Sequence, residues 1–484
     1  MKTKQLKSNR SIMPMPLNML LMAFGAGICC GLASVASAQT LVSGNISGTW
    51  SPSGNPYIAT DNCTNPLGTT LTLQPGVVFW IGSKLTVTVN GTITAVGTPT
   101  QRITIQAPGT ASYYWNTISI FDSTGTTNRF HYCDFLNAQT AVTVEAYAAS
   151  MVGAEILNCT FSNCISQAIL GISQGDCNLG DATFRPVIKN CIFSGTSNGC
   201  VMNIVGSWCS DGVYGHTHYG YAYPIICGNI FQNLTGTAFL MTLGTDYGSG
   251  NSTFLNNTII ACRGGVTATD PWDALVQDNI FMQMTNAIKD TGALMRTVSY
   301  NAFYQNATNF TDYPGTYGQP ILVNRNGTSC DVLYNIFQNP QFIAANDFHL
   351  QSSSTCINAG APGTALLNLC FPPSISTNFP DLGAYGGPDA CNWLDTVPIL
   401  PAQLSMTKSN GAIWLNWEAI PRSTYGIEYN TTNNFNAMAG TNRWLTNSVL
   451  TPISAPVSVA VSPNPPTNSK AFYRVKSLGR TPGN

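Results

Sequence analysis

Charge is scarce in this chain. Of 484 residues, 20 are Lys or Arg and 21 are Asp or Glu, and the formal net charge is -1. Neither sign forms a block, which argues against a nucleic-acid partner or an anionic membrane surface held by electrostatics. Histidine is rarer still, with 4 copies. The G-x-S-x-G, P-loop, H-E-x-x-H and dinucleotide patterns are missing, so none of those chemistries is signalled by a motif. Low charge does not imply disorder here, because 44% of the residues are hydrophobic and can supply a core.

Apolar runs long enough to span a bilayer are also missing. The longest apolar stretch, Met19 to Leu32, follows Lys2, Lys4, Lys7 and Arg10 and precedes the small-residue site Ala36-Ser37-Ala38. This order predicts a signal peptide over 1–38, export to the cell surface or beyond, and no membrane span once it is removed. Two of the 16 cysteines, Cys29 and Cys30, fall inside it. The remaining even number, in an exported chain, makes disulfides an expectation.

What the chain does have is internal repetition. Cys133, Cys159, Cys191, Asn229, Asn257, Asn279, Asn301 and Asn335 align in one column, at spacings of 26, 32, 38, 28, 22, 22 and 34. Two residues later stand Phe135, Phe161, Phe193, Phe231, Ile259, Phe281, Phe303 and Phe337. Three residues before the column stand Phe130, Ile156, Ile188, Ile226, Phe254, Val276, Val298 and Val332. Nine residues after it stand Val142, Ala168, Cys200, Ala238, Val266, Ile288, Phe310 and Ala344. A unit of 22 residues is too short for a helix pair, and the apolar residues alternate with period 2, as in Leu71 and Leu73 or Ile103 and Ile105. Short strands stacked coil on coil form a parallel β-helix. The phenylalanines then stack inside. The asparagines sit at a turn between sheets, where Asn tolerates left-handed geometry and can bond its copy in the next coil. Cys133, Cys159 and Cys191 are expected to fill the same place as small buried thiols.

The segment "TTLTLQPGVVFWIGSKLTVTVNGTITAVGTPTQRITI" from Thr69 to Ile105 resembles the entry coils of exported bacterial right-handed parallel β-helix proteins. The "NDFHLQSSSTCINAGAPG" run from Asn346 and "PDLGAYGG" from Pro380 resemble their exit, where a D-x-G-A-Y motif closes the final coil; here Gly386 replaces the acidic residue often found next. The resemblance implies an all-β chain with a right-handed parallel β-helix over 39–393. It does not fix an activity, because the fold carries lyases, hydrolases, epimerases and adhesins. Pectin-cleaving enzymes of this fold rely on patterned acidic and basic residues, and only Glu145 and Glu155 are available as glutamates in the helix. A Pro-containing linker, 394–402, leads to a small fibronectin-like β-sandwich over 403–484, with alternation at Ile413, Leu415, Tyr425 and Ile427.

The repeat register predicts insertions at 171–187, 203–225, 241–253 and 313–331, all on one edge, forming a wall beside a sheet. The longest contains "GHTHYGYAYP" from Gly215. Trp208, Tyr214, His216, His218, Tyr219, Tyr221 and Tyr223 are the candidate ligand-binding residues there. Aromatic rings in a neutral wall suit sugar stacking; self-packing of the loop is the competing reading. His216 and His218 would need a third ligand, such as Asp211, to hold a metal. Asp290 and Asp312 share one column in adjacent coils. Such a pair could bind Ca²⁺ or act as the catalytic carboxylates of a retaining glycoside hydrolase; solvated turn residues are the plain alternative. Three functions follow in order: a surface protein binding a polysaccharide or cell-surface glycan without a required cofactor, a carbohydrate-active enzyme (polysaccharide lyase or glycoside hydrolase), and a purely structural surface protein.

Overall fold

The structure is a computed structural model. It describes residues 39–395 apart from short breaks at 110–113, 122–126, 148–149, 177–179, 206, 211–214, 244–247, 270–271 and 291–296 and a longer one at 364–378, together with the backbone of the strands between 405 and 480. The signal peptide expected over 1–38 and residues 396–404 of the expected linker lie outside the described residues.

Each coil contributes three strands to three parallel ladders. The first ladder runs from Gly48–Trp50 to Thr297–Ser299. The second runs from Val78–Ile81 to Ala302–Tyr304, and the third from Thr86–Val89 to Thr308–Thr311. All pairings between coils are parallel, so the chain is a parallel β-helix. Ahead of these strands, Tyr57–Asn65 pairs through its two halves with Val78–Ile81 and Thr86–Val89, and Thr40–Asn45 pairs with both halves in turn, so the second and third ladders share their first strands.

The phenylalanine column is in register as the repeat requires: Phe135, Phe161, Phe193, Phe231, Ile259, Phe281 and Phe303 are successive partners. Their rings stack coil on coil, with centroids 4.8, 4.9 and 4.5 Å apart from Phe135 to Phe231. Each buried ring contributes about 1.5–3 kcal/mol. Phe337 continues the stack 5.8 Å from Phe303, only partly buried. The column from Phe130 to Val298 is likewise continuous. The third column needs a correction. Ile169 and Phe239, not Ala168 and Ala238, pair with Cys200 and its neighbours, because two of the turns carry one residue more than a fixed offset of nine allows.

The asparagine ladder forms inside the helix. The side-chain Nδ2 of Asn229, Asn257, Asn279 and Asn301 donates to Oδ1 of the next copy at 3.0, 3.0, 3.0 and 3.2 Å. Each Oδ1 also accepts the backbone N–H of the preceding copy, and the series ends on the buried carboxylate of Asp331. Cys133, Cys159 and Cys191 take the donor role in the earlier coils. Their Sγ atoms face the carbonyls of Ala95, Phe130 and Ile156, the places that Asn229 and its successors serve with Nδ2. The left-handed residues are not the column itself but the position before it, including Asn158, Asn190, Asn256, Asp278 and Tyr300. The column residue is extended and points inward, so its amide is free to bond along the stack.

Ten described cysteines are buried free thiols, so the disulfides expected from their even number do not form among them. A β-helix already cross-links its coils through backbone ladders, and the thiols act there as small buried side chains, three of them as weak donors to coil carbonyls.

The exit is a second correction. The Asp381–Tyr385 motif does not close a last coil but runs back along the outside of the helix. Gly383 N–H donates to Asp278 O, Ala384 N–H to Thr258 Oγ1, and Trp393 Nε1 to Gly228 O, each partner one coil earlier than the last. Asp389 reaches Lys189 at 2.9 Å. Phe348, Ala384 and Trp393 cover Ile230, while Leu350, Cys356 and Leu382 cover Ile280 and Ile336, so the second ladder carries an apolar layer on both faces. Gly386 has room for no side chain, since a Cβ would lie 2.0 Å from Asp381 O; this accounts for the missing acidic residue.

The strands between 405 and 480 form two three-stranded antiparallel sheets, the composition of a small sandwich. Among the described residues no helix is long and apolar enough to cross a membrane.

Candidate functional site

The connections between the third ladder and the next first-ladder strand share one edge, as the register requires, but they are shorter than expected. Strands Gln167–Gln174 and Ala182–Lys189 take up most of 171–187. Thr237–Leu243 and Gly248–Leu255 take up most of 241–253. The 203–225 segment is not an irregular loop. It holds an antiparallel hairpin, Ser207–Ser210 with Gly215–His218, and then rejoins the first ladder through Gly220–Ala222 and Ile225–Cys227.

That return places the tyrosines. Tyr221 alternates with buried Gly220 and Ala222 and therefore faces out. Two side chains pin the strand as it enters the ladder: Tyr219 N–H donates to Asp181 Oδ1 at 2.8 Å, and Tyr221 N–H donates to Ser173 Oγ at 3.0 Å. Ser173 in turn donates to Ala182 O. Gly220 fits because its backbone passes so close that a Cβ would stand 2.4 Å from Ser173 O.

The three rings form one row. Tyr219 and Tyr221 have centroids 5.9 Å apart, and Tyr221 and Tyr223 lie 6.4 Å apart with planes 12° from parallel. Tyr219 is 37% exposed and Tyr223 36%. The exposed Arg185 guanidinium stands 5.1 Å from the centre of the Tyr223 ring, a cation–π contact. Thr183 lies beneath Tyr221 and exposed Ser249 above it in register. Partial burial, then the Asp181 charge and the neighbouring phenols, push the Tyr221 hydroxyl pKa up. It therefore stays protonated at neutral pH, a donor and an acceptor at once.

The other expected site residues are distributed differently. His218 Nδ1 lies 3.3 Å from Asp181 Oδ1 at the edge of the row. Trp208 and His216 sit on the hairpin strands, where Trp208 pairs with Thr217 and His216 with Cys209, and their side chains lie outside the described residues, as do Tyr214, Asp211 and Asp270. Asp290 and Asp312 do follow one register, because Lys289 pairs with Thr311. Their surroundings differ: Asp290 is buried at the end of its strand, whereas Asp312 is exposed with a left-handed φ of 68°. Among the described residues no group of three or more His, Cys, Asp and Glu side chains is placed to hold a metal ion. Sequence reasoning missed Asp181, Ser173 and Arg185. Arg185 was within reach, since it precedes Tyr223 by 38 residues, the spacing between Cys191 and Asn229.

Neither the family models nor the curated proteins contain a match to this chain.

Proposed function

We propose that the chain is an exported β-helix protein, secreted or held at the cell surface, that binds glycan along the tyrosine row. The observation that carries this reading is the exposure of Tyr219 and Tyr223 on a rigid parallel sheet, in line with Tyr221 and beside Arg185. Sugars present C–H faces to aromatic rings and hydroxyls to polar neighbours, and this row offers both, with Asp181, Thr183 and Ser249 at its border. Rings serving only to hold the hairpin down would be buried by it, whereas Tyr219 and Tyr223 stay exposed. The enzymatic alternative has less support. A retaining hydrolase needs two carboxyl groups facing one cleft, whereas Asp290 is buried and Asp312 exposed.

A glycan-array screen of the mature protein, run beside a reducing-sugar release assay on the glycans that bind, tests the reading. Binding without release is expected. Release of new reducing ends would make the protein an enzyme, and a blank array across neutral and acidic glycans would remove the reading.

A further inference from the structure

A cavity lies at the exit end of the β-helix, apart from the residues of the tyrosine row. Its volume is about 500 Å³, and it forms between the turn at Arg325–Thr328 and the run Ser352–Asn358, with Phe379 at one side. Eight of its ten lining residues are polar, and Arg325 is the one that carries a charge. The Arg325 guanidinium lies over the Phe379 ring, 4.9 Å from its centre. Stacking of this kind fixes the plane of the guanidinium and leaves its edge N–H groups for a planar anion. The two sides of the cavity are fastened to each other: Asn326 Nδ2 donates to Thr355 O at 2.8 Å and to Ile357 O at 3.0 Å. Two lining residues carry hydrogen-bonding atoms with no protein partner, Thr355 Oγ1 and Asn358 Oδ1. Both atoms are closed off behind the cavity surface, so the recognition rests on Arg325 and the accessible polar wall.

We infer that this cavity binds a sugar acid, a hydroxylated ring carrying one carboxylate. Arg325 pairs with the carboxylate. The Ser352 hydroxyl and the Asn358 side chain exchange hydrogen bonds with the ring hydroxyls, while the Ser353 and Ser354 hydroxyls donate to Gln341 Oε1 and Pro340 O and shape the wall. Ile357 and Phe379 supply the apolar contact. The volume suits one or two pyranose rings, so the occupant is a free uronic acid or the end of an acidic chain. None of the cavity residues belongs to the tyrosine row, so the cavity can bind a sugar acid whether or not the row binds glycan.

Titration of the full chain with glucuronate and galacturonate, followed by ligand-observed NMR, tests the inference. At least one of them should bind, glucose should bind tenfold or more weakly, and Arg325→Gln should weaken binding by tenfold or more without altering the response to the glycans bound at the tyrosine row. Arg325→Lys keeps the charge but not the fork, so an intermediate loss is expected; it also serves as the readable variant if Arg325→Gln melts at a lower temperature. A trimer of the same acid binding as tightly as the monomer assigns the end of a chain, and a trimer that fails to bind assigns the free acid. The inference is overturned if neither acid binds at millimolar concentration, if glucose binds equally, if acetate competes as well as the sugar acid, or if both Arg325 variants bind unchanged.

Discussion

Replacing Asp278 by Asn should stabilise the protein at pH 8 and not at pH 4. Asp278 occupies the left-handed turn position under the exit strap, fully buried. Its Oδ1 accepts Ala361 N–H at 2.8 Å and its carbonyl accepts Gly383 N–H, so it ties down both the segment at Ala361 and the returning exit segment at Gly383. Its Oδ2 is buried with no protein partner. Burial pushes the carboxyl pKa up from 3.8 to about 8, against the opposing pull of the Ala361 N–H. The folded protein therefore keeps a proton that the unfolded chain has already released. Stability from this group is fully present below about pH 4 and is lost as pH rises toward 8. Each pH unit in that window costs about 1.4 kcal/mol, which sets a ceiling of about 6 kcal/mol. Asparagine keeps the acceptor for Ala361 but brings an N–H₂ that costs roughly 1–3 kcal/mol if it stays unpaired. The net expectation is a gain of about 2 kcal/mol at pH 8 and a loss of about 1–3 kcal/mol at pH 4. Urea unfolding of both proteins at half-unit steps from pH 4 to 8 measures the difference, and comparison with wild type cancels Asp381 and the other groups. Two curves running parallel across that range would refute the reasoning.

Phe231→Ala should cost roughly 3–5 kcal/mol, because the stack closed by Phe193 at 4.5 Å leaves a cavity that cannot collapse; urea unfolding reads it. Asn279→Ala removes the acceptor of both Asn257 N–H and Asn257 Nδ2 as well as the donor to Phe254 O. Each stranded buried group costs about 1–3 kcal/mol, and amide exchange at Asn257 should speed up before global unfolding does. Calcium and chelator should leave the melting temperature unchanged at the Asp290 and Asp312 register. A rise with calcium that disappears in Asp312→Asn would mean that the carboxylates converge after all.

The fold was legible because a stacked coil repeats its chemistry. Phe135 to Phe303 and Asn229 to Asn335 occupy equivalent places, so a single chain contains its own alignment. The offset that failed, at Ala168 and Ala238, failed where turns absorb an extra residue, which local pattern does not record. The left-handed position was misplaced by one residue, since Asn is common both there and in the neighbouring ladder. The strap over Asp278, Asn256 and Gly228 was not legible at all. Its partners lie far away in sequence, as Trp393 does from Gly228, and nothing repeats to announce them. The site was half legible. Tyr219, Tyr221 and Tyr223 stand out by alternation, but the contacts that pin them, Ser173 and Asp181, come from a neighbouring coil and show only in three dimensions.

The most direct test of the glycan reading is the double substitution Tyr219→Ala with Tyr221→Ala, carried through calorimetric titration with the tightest glycan from the array and through a thermal melt. The account predicts that binding is lost while the melting temperature falls by no more than a few degrees, because Tyr219 is exposed and Tyr221 only partly buried. Unchanged affinity, or a large drop in melting temperature together with no glycan bound by the wild type, would contradict it and leave the row as packing for the hairpin.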